Sequence, residues 1–378
     1  MKKRKIEYIV SLGAGPNQIP LIKAAIGQGY RVIGVDRNIR APGLDLCDIK
    51  IEESLANYRK IVYKLEMSIL DGPIVGGLSG SFGEAILSWA YLAEKLKLIG
   101  PGRPITEAMF DKYEVRKRFE AIEHPLFAQP LYFSPDNKLK KSQITQIGFP
   151  LIVKPRVGHA KSNVFELHKY ESAKRFFTMK NLKTLNVVPH DLIIEEKIEG
   201  DELTVTGLVQ DFKYTLIALT DKVTSQVAPF IELEHVYPSK HREFAGQIRE
   251  IHQQIVEIIQ LADCPVVSEW KVRDGKLYLI EFSMQAPGEF LGPFLIPKAI
   301  HYDYYTNLVW LATGKKVASP PPISKTKKAR VRFLVDKLTE KDIKVFSKKA
   351  PFFKVLNEQP RVPPVSNADR YAVIGEML

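Results

Sequence analysis

Residues 268–283 read Ser-Glu-Trp-Lys-Val-Arg-Asp-Gly-Lys-Leu-Tyr-Leu-Ile-Glu-Phe-Ser, two apolar runs on either side of the turn sequence Arg-Asp-Gly-Lys. This pattern predicts a β-hairpin. Glu269 and Glu281 are twelve residues apart in the chain, yet they can approach each other across the two strands. A carboxylate in an apolar strand is costly to leave unpaired, so we expect a cation between them, and oxygen ligands suit Mg²⁺. The alternative is that each glutamate pairs with a lysine or an arginine.

Two upstream segments carry residues suited to a nucleotide. Lys154 ends the apolar run Phe-Pro-Leu-Ile-Val-Lys-Pro before a turn-rich loop. A cation beside free backbone N–H groups suits a triphosphate, although a lysine at a solvated strand end is more common. Residues 192–202, Leu-Ile-Ile-Glu-Glu-Lys-Ile-Glu-Gly-Asp-Glu, form an apolar run followed by a turn. This is either an ordinary hairpin or a segment whose backbone, from Glu195 to Ile198, offers adenine a donor and an acceptor, with Glu202 accepting from the ribose hydroxyls.

The first hundred residues alternate strand-like and helix-like segments, beginning with a strand over residues 6–12. This alternation predicts an α/β domain with a parallel sheet. Gly13 and Gly15 follow the first strand and Asp36 ends the second, which is most of a dinucleotide-binding fingerprint. Gln18 occupies the position of the third glycine. We therefore favour a Rossmann-like fold whose loop serves another ligand or only makes the turn.

Composition limits the class of protein. The chain has 378 residues, 45% of them hydrophobic, and 55 Lys and Arg against 43 Asp and Glu give a net charge of +12. These values exclude a disordered or fibrous protein and favour an anionic partner. The basic residues are scattered without interleaved aromatic residues, so nucleic acid is an unlikely partner. No apolar run approaches the roughly 18 residues of a membrane span, and the two cysteines cannot build a disulfide framework. We expect a soluble, cytoplasmic enzyme that does not contact membranes.

Breaks in the pattern predict the domain limits. A Gly- and Pro-rich stretch surrounds residue 103, and a Pro-rich linker follows residue 318. Between them, an amphipathic segment predicts one long helix. Its apolar positions are Phe244, Ile248, Ile251, Ile255, Ile258 and Ala262. We expect domains at residues 1–103, 104–318 (with a flap subdomain at about 125–190) and 319–378.

Taken in chain order, five segments resemble the ATP-grasp superfamily, and in particular its carboxylate–amine ligases. The segments are residues 12–36, 110–120, 149–162, 192–205 and 268–283. The resemblance implies an α/β protein with an N-terminal Rossmann-like domain, a two-lobed ATP-grasp domain with a mobile flap, and a small C-terminal module that completes the ATP-grasp lobe. It also implies ATP with Mg²⁺ or Mn²⁺ as cofactors.

The resemblance assigns roles to individual residues. The residues implied to bind ATP are Lys112 and Lys154 at the phosphates, Ser162 in the flap, Glu195, Glu196 and Ile198 at adenine, and Glu202 at the ribose. The residues implied to bind the metal are Glu269, Glu281 and Ser283. Lys222 lies where many relatives have another lysine that faces the phosphates.

The chain departs from the family pattern in two ways. Ser283 stands where relatives have Asn, and Gln285 stands where they have Arg. The hydroxyl of Ser283 can still offer oxygen to a metal. The missing guanidinium means that either Arg330 or Arg332 replaces it in catalysis or the substrate differs. The flap is also less rich in glycine than in relatives.

The resemblance implies an ADP-forming enzyme that activates a small-molecule carboxylate as an acyl phosphate and joins it to an amine. Residues 220–241 resemble a loop that lines the acceptor pocket in amino-acid ligases, where Glu232, Glu234 or His235 could orient an amino group; a solvated loop is an equal alternative. One further alternative is a carboxylase that acts through carboxyphosphate. Another is a non-catalytic nucleotide-binding or RNA-associated regulator. Related enzymes are often dimers, so a homodimer is a further expectation.

Overall fold

The computed structural model describes residues 5–81, 83–135, 141–158, 163–185 and 187–378, apart from the side chains of Lys141 and Met179. These residues form one four-stranded parallel sheet, one four-stranded antiparallel sheet and one nine-stranded sheet. No helix among them is long and apolar enough to cross a membrane. The α/β class predicted from the sequence is confirmed.

The N-terminal region is a parallel sheet with strand order β3-β2-β1-β4. Its elements are β1 Tyr8–Leu12, α1 Ile19–Gly27, β2 Arg31–Asp36, β3 Ile49–Glu52, α2 Tyr58–Glu66, β4 Ile74–Ser79 and α3 Glu84–Leu96. The strands are apolar because the helices pack on them, and β1 is wholly buried. The carboxylate of Asp36 accepts from the backbone N–H groups of Ala14 and Asn38. Asp36 therefore holds the loop after β1, which agrees with the turn interpretation.

The middle of the chain forms a small antiparallel sheet of order β6-β9-β7-β8. The elements up to this point are α4 Arg103–Met109, α5 Lys112–Arg118, β5 Phe127–Ala128, β6 Tyr132–Phe133, α6 Lys141–Ile147, β7 Leu151–Pro155, β8 Phe165–Leu167, α7 Tyr170–Phe176, α8 Met179–Leu185 and β9 Leu192–Glu196. Alternate residues of β7 and β9, such as Leu151, Val153 and Ile194, share an apolar core with the three helices. The intervening residues of these strands, such as Ile152 and Glu195, face the nine-stranded sheet, and a cleft lies between the two sheets.

The large sheet has the order β16-β17-β15-β12-β11-β10-β13-β14-β5. Its remaining elements are β10 Asp201–Gln210, β11 Lys213–Thr224, β12 Glu232–Tyr237, α9 Ala245–Ile259, β13 Cys264–Arg273, β14 Lys276–Ser283, α10 Tyr304–Ala312, β15 Ala329–Leu334, α11 Glu340–Lys349, β16 Phe352–Val355 and β17 Ala372–Met377. The predicted helix is α9, although it ends before Ala262. The strands after residue 318 extend the sheet rather than forming a separate layer.

The hairpin that the sequence predicted is β13–β14. Asp274 and Gly275 in its turn have φ of 51° and 72°, the left-handed conformation that a two-residue hairpin turn needs. The apolar core crosses both predicted domain limits. Across residue 103, α10 packs on α1 and β4 of the N-terminal region. Across residue 318, Val331 and Val373 share a core with the residues of α10. The limits at residues 103 and 318 stay predictions.

Candidate functional site

A cleft between the antiparallel sheet and the nine-stranded sheet gathers most of the predicted site residues. It spans about 840 Å³, counting its open mouth, which is a size suited to a nucleotide. The residues that line this first cleft include Lys112, Lys154, Glu195, Glu196, Ile198, Glu202, Glu269 and Glu281. The apolar side chains of Ile152, Val164 and Ile280 line it as well. The cleft therefore combines an apolar slot with a charged end.

A buried ion-pair cluster lies at the wall of the first cleft. The Nζ of Lys154 is 2.6 Å from Glu195, and the Nε of Arg116 is 2.8 Å from the same carboxylate. Burial alone would raise the pKa of Glu195, but Arg116 and Lys154 outweigh it and hold the pKa at about 2. Burial lowers the pKa of Lys154, and Glu195 opposes that shift. The side chain of Glu195 therefore holds Lys154 in place at the wall of the cleft.

The neighbours of Glu195 form the far end of this cleft. Glu196 pairs with Arg273 at 2.9 Å, and Lys197 pairs with Glu166 at 2.8 Å. Ile198 is almost fully buried and lines the slot. The charged side chains of this segment are therefore held by the protein, and the apolar side chain of Ile198 contributes to the wall.

Lys112 stands where the first cleft meets a second one. Its Nζ donates to the carbonyl of Gly158 at 2.6 Å and lies 3.7 Å from Glu281. Asp111, which caps α5, accepts from Arg156 at 3.0 Å and so ties the start of α5 to the end of β7. This link fixes the position of Lys112 relative to Lys154.

The acidic hairpin forms the floor between the two clefts. Glu269 and Glu281 are direct partners across β13 and β14, and Ser283 lies two residues beyond Glu281, on the same face of the strand. Both glutamates line both clefts, and Ser283 lines the second. No group of three or more His, Cys, Asp or Glu in the described residues could enclose a metal ion. Two carboxylates and a hydroxyl fit Mg²⁺ only if phosphate oxygens complete its shell, which is the usual arrangement for this ion.

Lys222 lies beneath this floor with its side chain fully buried. Its Nζ is 2.5 Å from Glu269, 2.8 Å from Glu232 and 3.0 Å from Glu202. Burial would lower the pKa of Lys222, but the three carboxylates outweigh burial and hold the pKa well above its usual value. The resemblance placed this ammonium at the phosphates, whereas the structure directs it to carboxylates.

The second cleft lies between the N-terminal region and the nine-stranded sheet. It shares Lys112, Gly158, Glu269 and Glu281 with the first cleft. Its other polar lining residues are Asn17, Thr106, Thr204, Glu232, His235, Ser283, Gln285, Glu289 and Asn367. The two clefts thus meet at the acidic hairpin, so ligands in them would meet there.

A family model for an ATP-grasp domain matches residues 147–292. The chain contains an ATP-grasp domain. No curated protein matches the chain at a significant level.

Solved ATP-grasp structures resemble nearly the whole chain. Phosphoribosylglycinamide synthetase from Anaerococcus prevotii is 18% identical, with a TM-score of 0.72 over 99% of this chain and 94% of that one. The ADP complex of N5-carboxyaminoimidazole synthetase from Staphylococcus aureus is 14% identical, with a TM-score of 0.75 over 100% and 95%. An L-amino acid ligase from Bacillus licheniformis is 15% identical, with a TM-score of 0.72 over 100% and 94%. At these identities the likeness shows the fold.

Two candidate catalytic residues lie away from the clefts of the ATP-grasp domain. Arg330 pairs with Glu376 at 2.6 Å and with Glu234 at 3.6 Å, and Arg332 lies 3.9 Å from Glu376. Neither arginine is among the described residues that line a cleft. Their charges are used within β12, β15 and β17, so the expectation that one of them replaces the missing arginine has no support in this geometry.

A different arginine contacts the wall of the second cleft. Arg370 is buried, and its guanidinium lies 2.5 Å from Glu289 and 3.9 Å from Glu232, both of which line that cleft. No sequence motif marks Arg370 or Glu289. Arg370 precedes β17, and only the tertiary packing brings it to Glu289.

Ser162 lies outside the described residues, as do its neighbours in the turn-rich loop, residues 159–161. Its expected contact with ATP stays a prediction. The described residues that flank this loop, Gly158 and Val164, both line the first cleft.

Proposed function

We propose that the chain is an ADP-forming ligase that activates a carboxylate as an acyl phosphate and joins it to an amine. One observation carries the proposal: Glu269 and Glu281 face each other where the two clefts meet, with Lys112 at the same junction. A nucleotide in the first cleft would place its terminal phosphate at this junction. A substrate in the second cleft would reach the same point from the other side.

The first cleft supplies the nucleotide site. The slot lined by Ile152, Val164 and Ile280 takes the base, and the backbone between Glu195 and Ile198 offers it hydrogen bonds. Glu202 lies at the ribose. Lys154 and Lys112 neutralise phosphate oxygens that would otherwise repel an incoming carboxylate.

The acidic hairpin would hold Mg²⁺ through Glu269, Glu281 and Ser283. When bound there, the ion polarises the terminal phosphate and neutralises charge as it develops. The buried Lys222 holds Glu269 in place. The side chains thus position the substrates and neutralise the charge of the phosphates, and no side chain forms a covalent bond with the substrate.

The reaction follows from this placement. An oxygen of the substrate carboxylate forms a bond to the γ-phosphorus of ATP, and the bond from that phosphorus to the bridging oxygen breaks, releasing ADP. The amine nitrogen then forms a bond to the acyl carbon, inorganic phosphate leaves, and the nitrogen loses a proton. A carboxylase would use bicarbonate as the first carboxylate in the same site.

The proposal is tested by measuring ADP and phosphate release with Mg²⁺ and ATP over a panel of carboxylic acids, each with and without an amine. The panel contains the amino acids and bicarbonate. We expect ADP formation that needs a specific carboxylate and a product that contains the amine. Activity with bicarbonate alone would identify a carboxylase. Tight nucleotide binding without ADP formation for every member would contradict the ligase and favour a regulator.

A further inference from the structure

The second cleft contains a buried histidine with no hydrogen-bond partner. His235 lies in the middle of the nine-stranded sheet, opposite Lys222 on one side and Val331 on the other. It is 1% exposed and lines the second cleft. Neither ring nitrogen has a hydrogen-bond partner among the described residues. An imidazole buried in this way is costly unless a ligand or a water molecule completes its hydrogen bonds.

The imidazole is the neutral form. Burial lowers the pKa of His235 to about 4, against the attraction of Glu232 and together with the repulsion of Lys222 and Arg370. A neutral imidazole offers one N–H donor and one lone pair. It can therefore accept a hydrogen bond from a ligand N–H group without adding positive charge to the cleft.

The charge of the second cleft selects the kind of ligand. Among the described residues, its lining holds the side chains of Glu232, Glu269, Glu281 and Glu289 but only one lysine, Lys112. Lys222 and Arg370 pair with three of these carboxylates from outside the lining, and burial raises the pKa of Glu289 to about 7. Two of the carboxylates, Glu232 and Glu289, lie within 4 Å of Arg370, and Glu232 also shares Lys222 with Glu269 of the hairpin. The net charge of this lining is negative, and the imidazole of His235 beside it can accept a hydrogen bond. Both properties favour a ligand with an amino group.

We propose that His235 binds the amino group of the second substrate, which is a primary amine, in the second cleft. This inference rests on the proposed ligase function, because it names the residue that recognises the amine. The amine enters as an ammonium, is attracted by Glu232 and Glu289, and donates a hydrogen bond to the imidazole. It releases one proton to the solvent in the open cleft, and the neutral nitrogen then attacks the acyl carbon. The nitrogen is then held at the junction where the acyl phosphate forms.

The first test is a binding experiment that does not need turnover. Unfolding temperatures of the wild-type protein and of His235→Leu are measured with Mg²⁺-ADP and increasing glycinamide, ethylamine or ammonium chloride. N-acetylglycinamide, which lacks the basic nitrogen of glycinamide, is the matched control ligand. We expect at least one amine to raise the unfolding temperature of the wild type and not of His235→Leu, because a bound ligand stabilises the folded state. If no amine gives a shift that depends on His235, the proposal is overturned.

The second test separates binding from a structural role. His235→Leu removes two unpaired polar atoms, so we expect its stability without ligand to equal or exceed that of the wild type. With a substrate pair from the ADP-release panel, the variant should show a KM for the amine raised at least about tenfold, while the KM for ATP is unchanged. His235→Gln, which keeps a hydrogen-bond acceptor, should recover part of the loss.

Trapping with hydroxylamine completes the test. Hydroxylamine at high concentration opens an acyl phosphate without the natural amine, so in His235→Leu hydroxamate formation should fall less than use of the natural amine. An equal loss of stability, hydroxamate formation and amine use in this variant would show a structural role and overturn the proposal. Absence of ADP formation in the wild type would refute the ligase function alone, since the thermal shift still decides the role of His235.

Discussion

The ammonium of Lys222 lies 2.5 Å from the carboxylate of Glu269, directly beneath the acidic hairpin. The sequence offered two partners for this carboxylate, a metal ion or a basic side chain. The structure supplies the basic side chain and still leaves Glu269 at the surface of both clefts. The two alternatives are therefore compatible, because Lys222 approaches from below and a metal would approach from the cleft.

Lys222→Met should destabilise the fold strongly. The substitution leaves the carboxylates of Glu202, Glu232 and Glu269 without their shared cation in a buried site, and breaking such a cluster costs about 3–5 kcal/mol. Denaturant unfolding followed by circular dichroism measures the loss. Adding Glu232→Gln to Lys222→Met should recover part of the stability, because it removes one of the three negative charges.

Lys213→Met is the matched control for Lys222. Lys213 is exposed at the start of the same strand, β11, and surface substitutions change stability by about 0.5 kcal/mol or less. Equal unfolding midpoints for Lys213→Met and Lys222→Met would contradict the buried cluster.

The sequence predicted the hairpin and several of the residues that line the first cleft, because they lie on strands with strong local patterns. The Arg-Asp-Gly-Lys turn fixes which residues of β13 and β14 face each other, so the pairing of Glu269 with Glu281 followed from spacing alone. The environment of Glu195 could not be predicted in this way. Its partner Arg116 comes from a helix 79 residues earlier, and only the tertiary packing brings the two together.

The second cleft was harder to predict for the same reason. Its wall joins Asn17 after the first strand to Asn367 near the last one, and no local motif encodes that contact. Arg330 and Arg332 were candidates to replace the guanidinium that Gln285 lacks. Cross-strand pairing with Glu234 and Glu376 uses those charges instead.

Lys154→Ala should weaken nucleotide binding. Lys154 lines the first cleft and is only 8% exposed, so its hydrogen bond to a phosphate would be shielded from water. Hydrogen bonds to charged groups contribute about 1.5–3 kcal/mol, which corresponds to about a tenfold or greater rise in the Kd for ADP. Titration calorimetry measures this change.

The control for Lys154 is Lys174→Ala, an exposed lysine on α7 beside the same antiparallel sheet. We expect its affinity for ADP to match the wild type. Unchanged affinity in Lys154→Ala would remove that residue from the nucleotide site. A stability measurement on the same samples separates lost binding from lost folding, because Glu195 keeps Arg116 as its partner in the variant.

Stability should fall as the pH drops below 6.5, because of His252. This buried imidazole lies 2.7 Å from the carbonyl of Ile248 and 2.8 Å from the hydroxyl of Ser268, which also accepts from Trp270. The chain of bonds needs a neutral ring, and burial lowers the pKa of His252 to about 4. The unfolded state takes up a proton near pH 6.5, whereas the folded state does so only near pH 4.

The contribution of His252 to the free energy of unfolding is therefore present above pH 6.5 and is lost as the pH falls toward 4. Between pH 7.5 and pH 5 the loss from this one group is about 2 kcal/mol. His252→Gln should be less stable at pH 7.5, yet its stability should depend less on pH over this range. Urea unfolding of both proteins at the two pH values measures the difference, and an identical pH dependence would contradict the assignment.

Glu281→Gln should abolish ADP formation and leave the fold intact. The substitution keeps the size of the side chain and removes one of the two negative charges at the junction of the clefts. Losing one metal ligand at a site that neutralises phosphate charge should lower the rate by about 100-fold or more, which corresponds to roughly 2.7 kcal/mol. The stability should change little, because Glu281 is partly exposed and its ion pair with Lys112 is long, at 3.7 Å. Glu257→Gln, on the exposed face of α9, is the control, and full turnover in Glu281→Gln would refute a metal at this hairpin.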